Sequence, residues 1–225
     1  MPPTQPLPHV SETPLSVFLV DDHPALRAGL RSLLESEPGF SVQGDAASGE
    51  EAYAWYRGNR PDVIVMDLSM GGYGGLESLR RILQFDPRAR VLIYTVHASG
   101  AMLQRALSLG ALGYVTKASP VEVLLHGIRE VAGHQGFVSP DLIPAMVRKH
   151  AGHGEDASLL EQLSDREFQI LLLTAQGQTA ETCAQTLNLS DKTVRNHLTR
   201  IKTRLNVPDT AALTRLVIRA GLVEP

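Results

Sequence analysis

Short apolar runs rich in β-branched residues alternate with stretches of helical apolar spacing, and this happens five times before about residue 132. Runs of that kind read as buried strands of a parallel sheet. Strands are expected at Ser16 to Val20, Phe40 to Gly44, Val63 to Asp67, Arg90 to Thr95 and Gly113 to Thr116. Helical spacing follows each of them, as in Leu26, Leu30, Leu33 and Leu34, or Leu76, Leu79, Ile82 and Leu83. Pro24 suits a first helical turn, and Gly39 and Gly58 suit helix stops. A five-fold β-α order predicts an α/β fold in which a parallel five-stranded sheet is covered on both faces.

Charged residues close three of these runs. Asp21 and Asp22 follow Val17 to Val20, Asp67 follows Val63 to Met66, and Lys117 follows Gly113 to Thr116. If the three strands lie side by side, their C-terminal ends bring three carboxylates and one ammonium to the crevice where open α/β sheets bind ligands. Such a crevice suits a divalent cation and a phosphoryl group. Each residue also has a plainer reading: adjacent acids can be a solvated turn or a helix cap, Lys117 a surface charge, and Thr95 an ordinary strand threonine.

Composition limits the function classes. The single Cys183 excludes an intramolecular disulfide framework, and no run of about 20 apolar residues offers a membrane span. A cytoplasmic protein without a membrane role is expected. The first 14 residues hold prolines at 2, 3, 6, 8 and 14 and lack a basic start or apolar core, so they read as a disordered tail and not a secretory signal.

The pattern changes after Ala132. Residues 133–160 read as a linker with room for one short helix over Asp141 to His150, and residues 161–225 as a small all-α domain. That domain opens on a capping box, Ser164 with Glu167, and its first helix stops at Gly177. A short helix over Thr179 to Leu187 turns at Asn188 and Leu189 into a third helix, capped by Ser190 and running to Leu205. Two short helices joined by a tight turn match a helix-turn-helix. In the third helix Lys192, Arg195, Arg200, Lys202 and Arg204 face only Asp191, the footprint of a phosphate-backbone binder, although such charge can also be mere solvation. A last helix, about Asp209 to Ala220, would cover the core and offers a surface for pairing with a second copy. Cys183 falls on the apolar face of its helix and reads as core.

These strings together resemble the two-component response regulators of the NarL/FixJ class, in which a flavodoxin-like (βα)5 receiver precedes a LuxR-type helix-turn-helix. The matching residues are Val20-Asp21-Asp22-His23-Pro24, Asp67-Leu68-Ser69-Met70, Tyr94-Thr95, Gly110-Ala111 and Gly113 through Lys117 in the first domain. In the second they are Leu163 through Glu167, Leu187 through Val194, His197, and Arg204 through Val207.

The resemblance implies that Asp67 accepts a phosphoryl group from a phosphohistidine on a sensor histidine kinase. It implies that Asp22, Asp67 and the Ser69 backbone carbonyl hold Mg²⁺, with Asp21 acting through the metal's waters. Lys117 and the Thr95 hydroxyl would bond phosphoryl oxygens, and Tyr114 would be the switch aromatic, unless it is simply a tyrosine half-buried on an edge strand. Against double-stranded DNA, Arg195, Asn196 and Thr199 would meet base edges and Lys192, Thr193, His197 and Arg200 phosphates, with the active chain a homodimer on promoter half-sites. Such a protein is not an enzyme in the usual sense; it takes a phosphoryl group onto its own aspartate and can hydrolyse it there.

Departures from the family pattern keep other readings open. Gly71 replaces the usual proline and should loosen the metal-carbonyl loop. Ala180 and Glu181 stand where relatives often carry Asn and Lys, which should weaken DNA binding. A regulator of the same shape that ignores phosphate and answers to dimerisation or a ligand is the alternative. An aspartyl-phosphate phosphatase fits poorly, because that class wants a second acid where Ser69 stands.

Overall fold

A computed structural model gives the fold. It describes residues 13–70, 74–98, 100–143, 159–160, 162–187, 189–220 and 222–223. Strands β1 (Leu15–Val20), β2 (Phe40–Ala46), β3 (Val63–Met66), β4 (Val91–Thr95) and β5 (Gly113–Thr116) alternate with helices α1 (Pro24–Ser36), α2 (Gly49–Tyr56), α3 (Gly74–Phe85), α4 (Gly100–Ser108) and α5 (Val121–Ala132). All pairings are parallel, and the order across the sheet is β2-β1-β3-β4-β5 with a further strand outside β5.

Alternation of side chains along the strands splits the core in two. Val17, Leu19, Val63 and Val65 pack with Leu30, Leu34, Leu124 and Ile128 on one face of the sheet. Phe18, Val20, Ile64 and Met66 pack with Leu76, Leu79, Ile82 and Leu103 on the other. Burying each such side chain contributes roughly 1.5–3 kcal/mol, which explains why strands this short hold their register.

The outer strand, β6 (Phe137–Val138), corrects the five-stranded expectation. It comes from the stretch read as linker, and it pairs Phe137 with Gly113 and Val138 with Tyr114. Two residues between Gly136 and Pro140 carry too little periodicity to show in the sequence. Room for it is made by glycine: a Cβ on Gly127 would stand 2.8 Å from the Phe137 ring. A 3₁₀ turn (Pro140–Leu142) follows, with Leu142 fully buried and the Asp141 carboxylate accepting from Thr116 at 2.7 Å and Ser119 at 2.8 Å. That turn is all that is described of the short helix expected over Asp141 to His150; its remainder lies outside the described residues, as does Gly71.

The C-terminal helices are α6 (Asp165–Ala175), α7 (Ala180–Thr186), α8 (Asp191–Arg204) and α9 (Thr210–Arg219). The side chains of Ser164, Thr179, Ser190 and Asp209 each accept from a backbone N–H in the first turn, so every one of these helices is capped. Leu213, Leu216 and Val217 of α9 close the core together with the fully buried Cys183, whose thiol burial pushes upward in pKa.

Glu167 completes the capping box and does more. Its carboxylate accepts from the Ser164 backbone N–H and hydroxyl at 2.9 Å each and from the Arg204 guanidinium at 2.6 Å, tying the start of α6 to the end of α8. Burial alone would raise its pKa, but the Ser164 hydrogen bonds and the charges of Arg204 and His197 hold it below the ordinary value. A depressed folded pKa contributes stability that is present above the unfolded value of about 4.3 and lost as pH falls through the folded one. Glu167→Gln should therefore lower stability at pH 7 by about 1–3 kcal/mol. In urea melts run as a pH series, the gap to wild type should narrow below about pH 4.

Candidate functional site

Strand register builds the pocket. Val20 pairs with Met66 and Thr95 with Thr116, so the residues after them emerge side by side at the C-terminal edge of the sheet. The loop backbone continues the ladder for one more step, Asp67 N–H donating to Val20 O at 2.8 Å and Lys117 N–H to Thr95 O at 2.7 Å. Reversal of strand order between β1 and β3 is what opens the crevice there.

The Lys117 ammonium donates to Asp21 Oδ2 and to Asp67 Oδ2, each at 2.7 Å. Asp21 is 3% exposed and Asp67 1%, so this is a buried charge cluster whose acids need the cation. Burial pulls the Lys117 pKa down, yet the hydrogen bonds and charges of the two aspartates prevail and hold it above its ordinary value. The other oxygen of Asp67 accepts from the Ser69 backbone N–H at 3.0 Å. Ser69 Oγ and Thr95 Oγ1 stand 3.5 Å apart, and the His97 N–H reaches Thr95 Oγ1 at 3.4 Å.

Asp22 is half-buried beside this cluster. Ligand atoms of Asp21, Asp22, His23 and Asp67 all lie within 4.8 Å of one another, an arrangement suited to a divalent cation. His23 entered the sequence reading only as part of a string; its Nδ1 lies 2.9 Å from Asp22 Oδ1 and 3.3 Å from Asp21 Oδ1. Its adjacency to the acid pair was the available signal.

Tyr114 is fully buried, and its hydroxyl donates to the His97 carbonyl at 2.8 Å. The half-buried edge-strand alternative fails for a simple reason: β6 covers the flank of β5, so Tyr114 is not on an edge. Its burial pushes the phenol strongly up in pKa, so it stays a neutral donor.

On α8, Lys192, Arg195, Asn196, Thr199 and Arg200 are exposed along one stripe at helical spacing, while Val194 and Ile201 are buried on the opposite side. Thr193 and His197 are only half-exposed. The Thr193 hydroxyl is 2.7 Å from the Ser190 hydroxyl within the helix cap, and burial lowers the His197 pKa. Arg195 Nε also donates to Asp191 Oδ2 at 2.7 Å, an exposed pair that is easily exchanged for another acceptor.

Residues 17–129 match the model of the response regulator receiver domain, and residues 161–217 that of the bacterial regulatory proteins of the luxR family. The chain belongs to the two-component response regulators that join a receiver to a LuxR-type DNA-binding domain. It is 36% identical over 208 residues to the response regulator UvrY of Escherichia coli, covering 92% of this chain and 95% of that one. A LuxR-family response regulator crystal structure from an Aurantimonas species is 40% identical, with a TM-score of 0.60 over 62% of this chain and 100% of that chain. RcsB of Salmonella enterica serovar Typhimurium, bound to the rprA promoter in the presence of a phosphomimetic, shares the fold at 23% identity, with a TM-score of 0.65 over 92% of this chain and 99% of that chain. Among the described residues no helix is long and apolar enough to cross a membrane.

Proposed function

We propose that Asp67 is the phosphoacceptor of this regulator and that its state controls promoter binding by α8. The observation that carries the reading is the Lys117 ammonium held at 2.7 Å from both Asp21 and Asp67, with Asp22 completing a cluster of carboxylates. The oxygen donors fit Mg²⁺, a hard ion that prefers oxygen ligands. Asp22, Asp67 and the Ser69 carbonyl would hold it and Asp21 would act through its waters; when bound it neutralises charge on the phosphoryl oxygens.

An Asp67 carboxylate oxygen attacks phosphorus as the P–N bond of a kinase phosphohistidine breaks, giving an aspartyl phosphate. Lys117 keeps its proton throughout and serves as a point charge for a phosphoryl oxygen, and the Thr95 hydroxyl bonds another. Positioning and charge are what phosphoryl transfer asks of a protein. No free substrate is turned over, and water can later hydrolyse the acyl phosphate in place.

The partners in this reading are a sensor histidine kinase, a second copy of the chain and double-stranded promoter DNA, all met in the cytoplasm. Arg195, Asn196 and Thr199 face bases, and Lys192, Thr193, His197 and Arg200 face phosphates. Footprinting of genomic DNA with and without Mg²⁺ and beryllofluoride, a phosphoryl mimic, tests it. Protection of spaced half-sites should strengthen when both are present. Equal protection in both conditions would favour a regulator that ignores phosphate.

A further inference from the structure

The basic stripe of α8 stays exposed while the C-terminal helices rest on the receiver, so this contact does not hide the DNA-reading face. It meets the phosphoacceptor pocket instead. A cavity of about 240 Å³ is walled by Asp22, Ser69 and His97 at the pocket rim and by Phe168 and Leu172 of α6 and Leu187 just past α7. Gln169 of α6 reaches the start of α3 so closely that a Cβ on Gly74 would stand 1.4 Å from its Nε2.

Arg105 of α4 holds this contact. Its guanidinium donates to Asp165 Oδ1 from Nη2 at 2.9 Å and Nε at 3.2 Å, also reaches the carbonyls of Leu160 and Leu163, and lies 5.0 Å above the Phe168 ring. Arg105 is 13% exposed and Asp165 10%, so the pair is largely desolvated. A second charge agrees across the contact: Arg80 Nε of α3 lies 3.7 Å from Asp165 Oδ2. Both Arg105 bonds to Asp165 converge on the same carboxylate oxygen, and charge-assisted bonds of this kind are stronger than neutral ones.

We propose that Arg105 is a latch that seats the DNA-binding domain over the mouth of the phosphoacceptor pocket, so that the docked chain admits a small phosphodonor but holds off a protein one. The inference rests on Asp67 being the phosphoacceptor. A free phosphoramidate is small beside a cavity of this size, whereas a phosphohistidine borne on a kinase brings its own backbone to the rim, where Phe168 and Leu172 already form the wall. The helix α4 that carries Arg105 also follows directly on the segment bonded by Thr95 and Tyr114, so the latch shares an element with the pocket.

The test compares two rate constants in full-length chains: phosphorylation by phosphoramidate with Mg²⁺, and transfer from a phosphorylated histidine kinase fragment chosen for measurable transfer to wild type. Arg105→Ala and Asp165→Ala, which break the latch from opposite domains, should each raise the ratio of kinase rate to phosphoramidate rate by at least about fivefold, the lower end of ordinary site-to-site coupling. The double variant should rise no further than either single one. A ratio left at the wild-type value in both variants overturns the latch. Should Arg105→Ala melt early in a thermal scan, Asp165→Ala decides alone. If wild type gains no phosphoryl group from phosphoramidate, the phosphoacceptor reading falls, and the latch falls with it.

Discussion

Asp67→Asn is expected to leave no covalent phosphoryl adduct when the chain is incubated with Mg²⁺ and phosphoramidate, as read by intact mass. An amide keeps the shape of the carboxylate, and its single oxygen can still accept from Lys117 or from the Ser69 N–H, so the fold should be retained at the cost of one of the two bonds. What it loses is the nucleophilic oxygen, and no other described carboxylate takes its place: Asp21 is turned onto Lys117 and His23, and Asp22 is only half-buried beside the His23 ring. Lys117→Ala should act on the same reaction from the other side. Removing one preorganised charge from such a site costs about 10²–10³ in rate. The adduct should therefore form slowly in Lys117→Ala and not at all in Asp67→Asn. A normal adduct in Asp67→Asn would place the acceptor elsewhere.

Gly75→Ala should damage the pocket without touching any of its charged groups. A Cβ at this position would stand 2.3 Å from the Asp67 carbonyl oxygen and 2.4 Å from the Leu68 Cα, and both neighbours are backbone that cannot rotate away. The Gly75 N–H also donates to Leu68 O at 3.3 Å, so the start of α3 and the loop after Asp67 are in direct contact. Relief of the clash has to move the segment that carries Asp67. Overpacking of this kind costs about 3 kcal/mol. Chemical denaturation should show a loss of that order, and phosphoramidate labelling of Asp67 should fall together with it. Wild-type values in both assays would mean the loop yields more easily than its contacts imply.

The glycine at 75 also shows where sequence reasoning falls short. In the sequence Gly71 reads as backbone freedom, whereas a few residues on Gly75 serves close approach and Gly74, with φ of +70°, serves a left-handed turn. The pocket itself was legible, because short parallel strands have predictable C-terminal ends and the charged residues sit one step beyond them. The capped helices were legible too, since Ser164 with Glu167 and Ser190 with Thr193 are local patterns. β6 was not, being two residues long and dependent on Gly113 and Gly127, which belong to other elements of the chain. Arg105 and Asp165 gave no warning either: each looks like an ordinary helix-surface charge, and only folding brings the two, 60 residues apart in sequence, into one desolvated pair.

The two ion pairs of Lys117 bear on the chain as it is made. Lys117 and Asp21 are separated by 96 positions, and Lys117 and Asp67 by 50. Closing spans of that length costs entropy that only a completed sheet can offset. A nascent chain that has not yet emerged past position 117 carries Asp21 and Asp67 without the ammonium both accept from in the folded protein. The three-residue cluster can therefore close only after all five strands β1 to β5 have been synthesised.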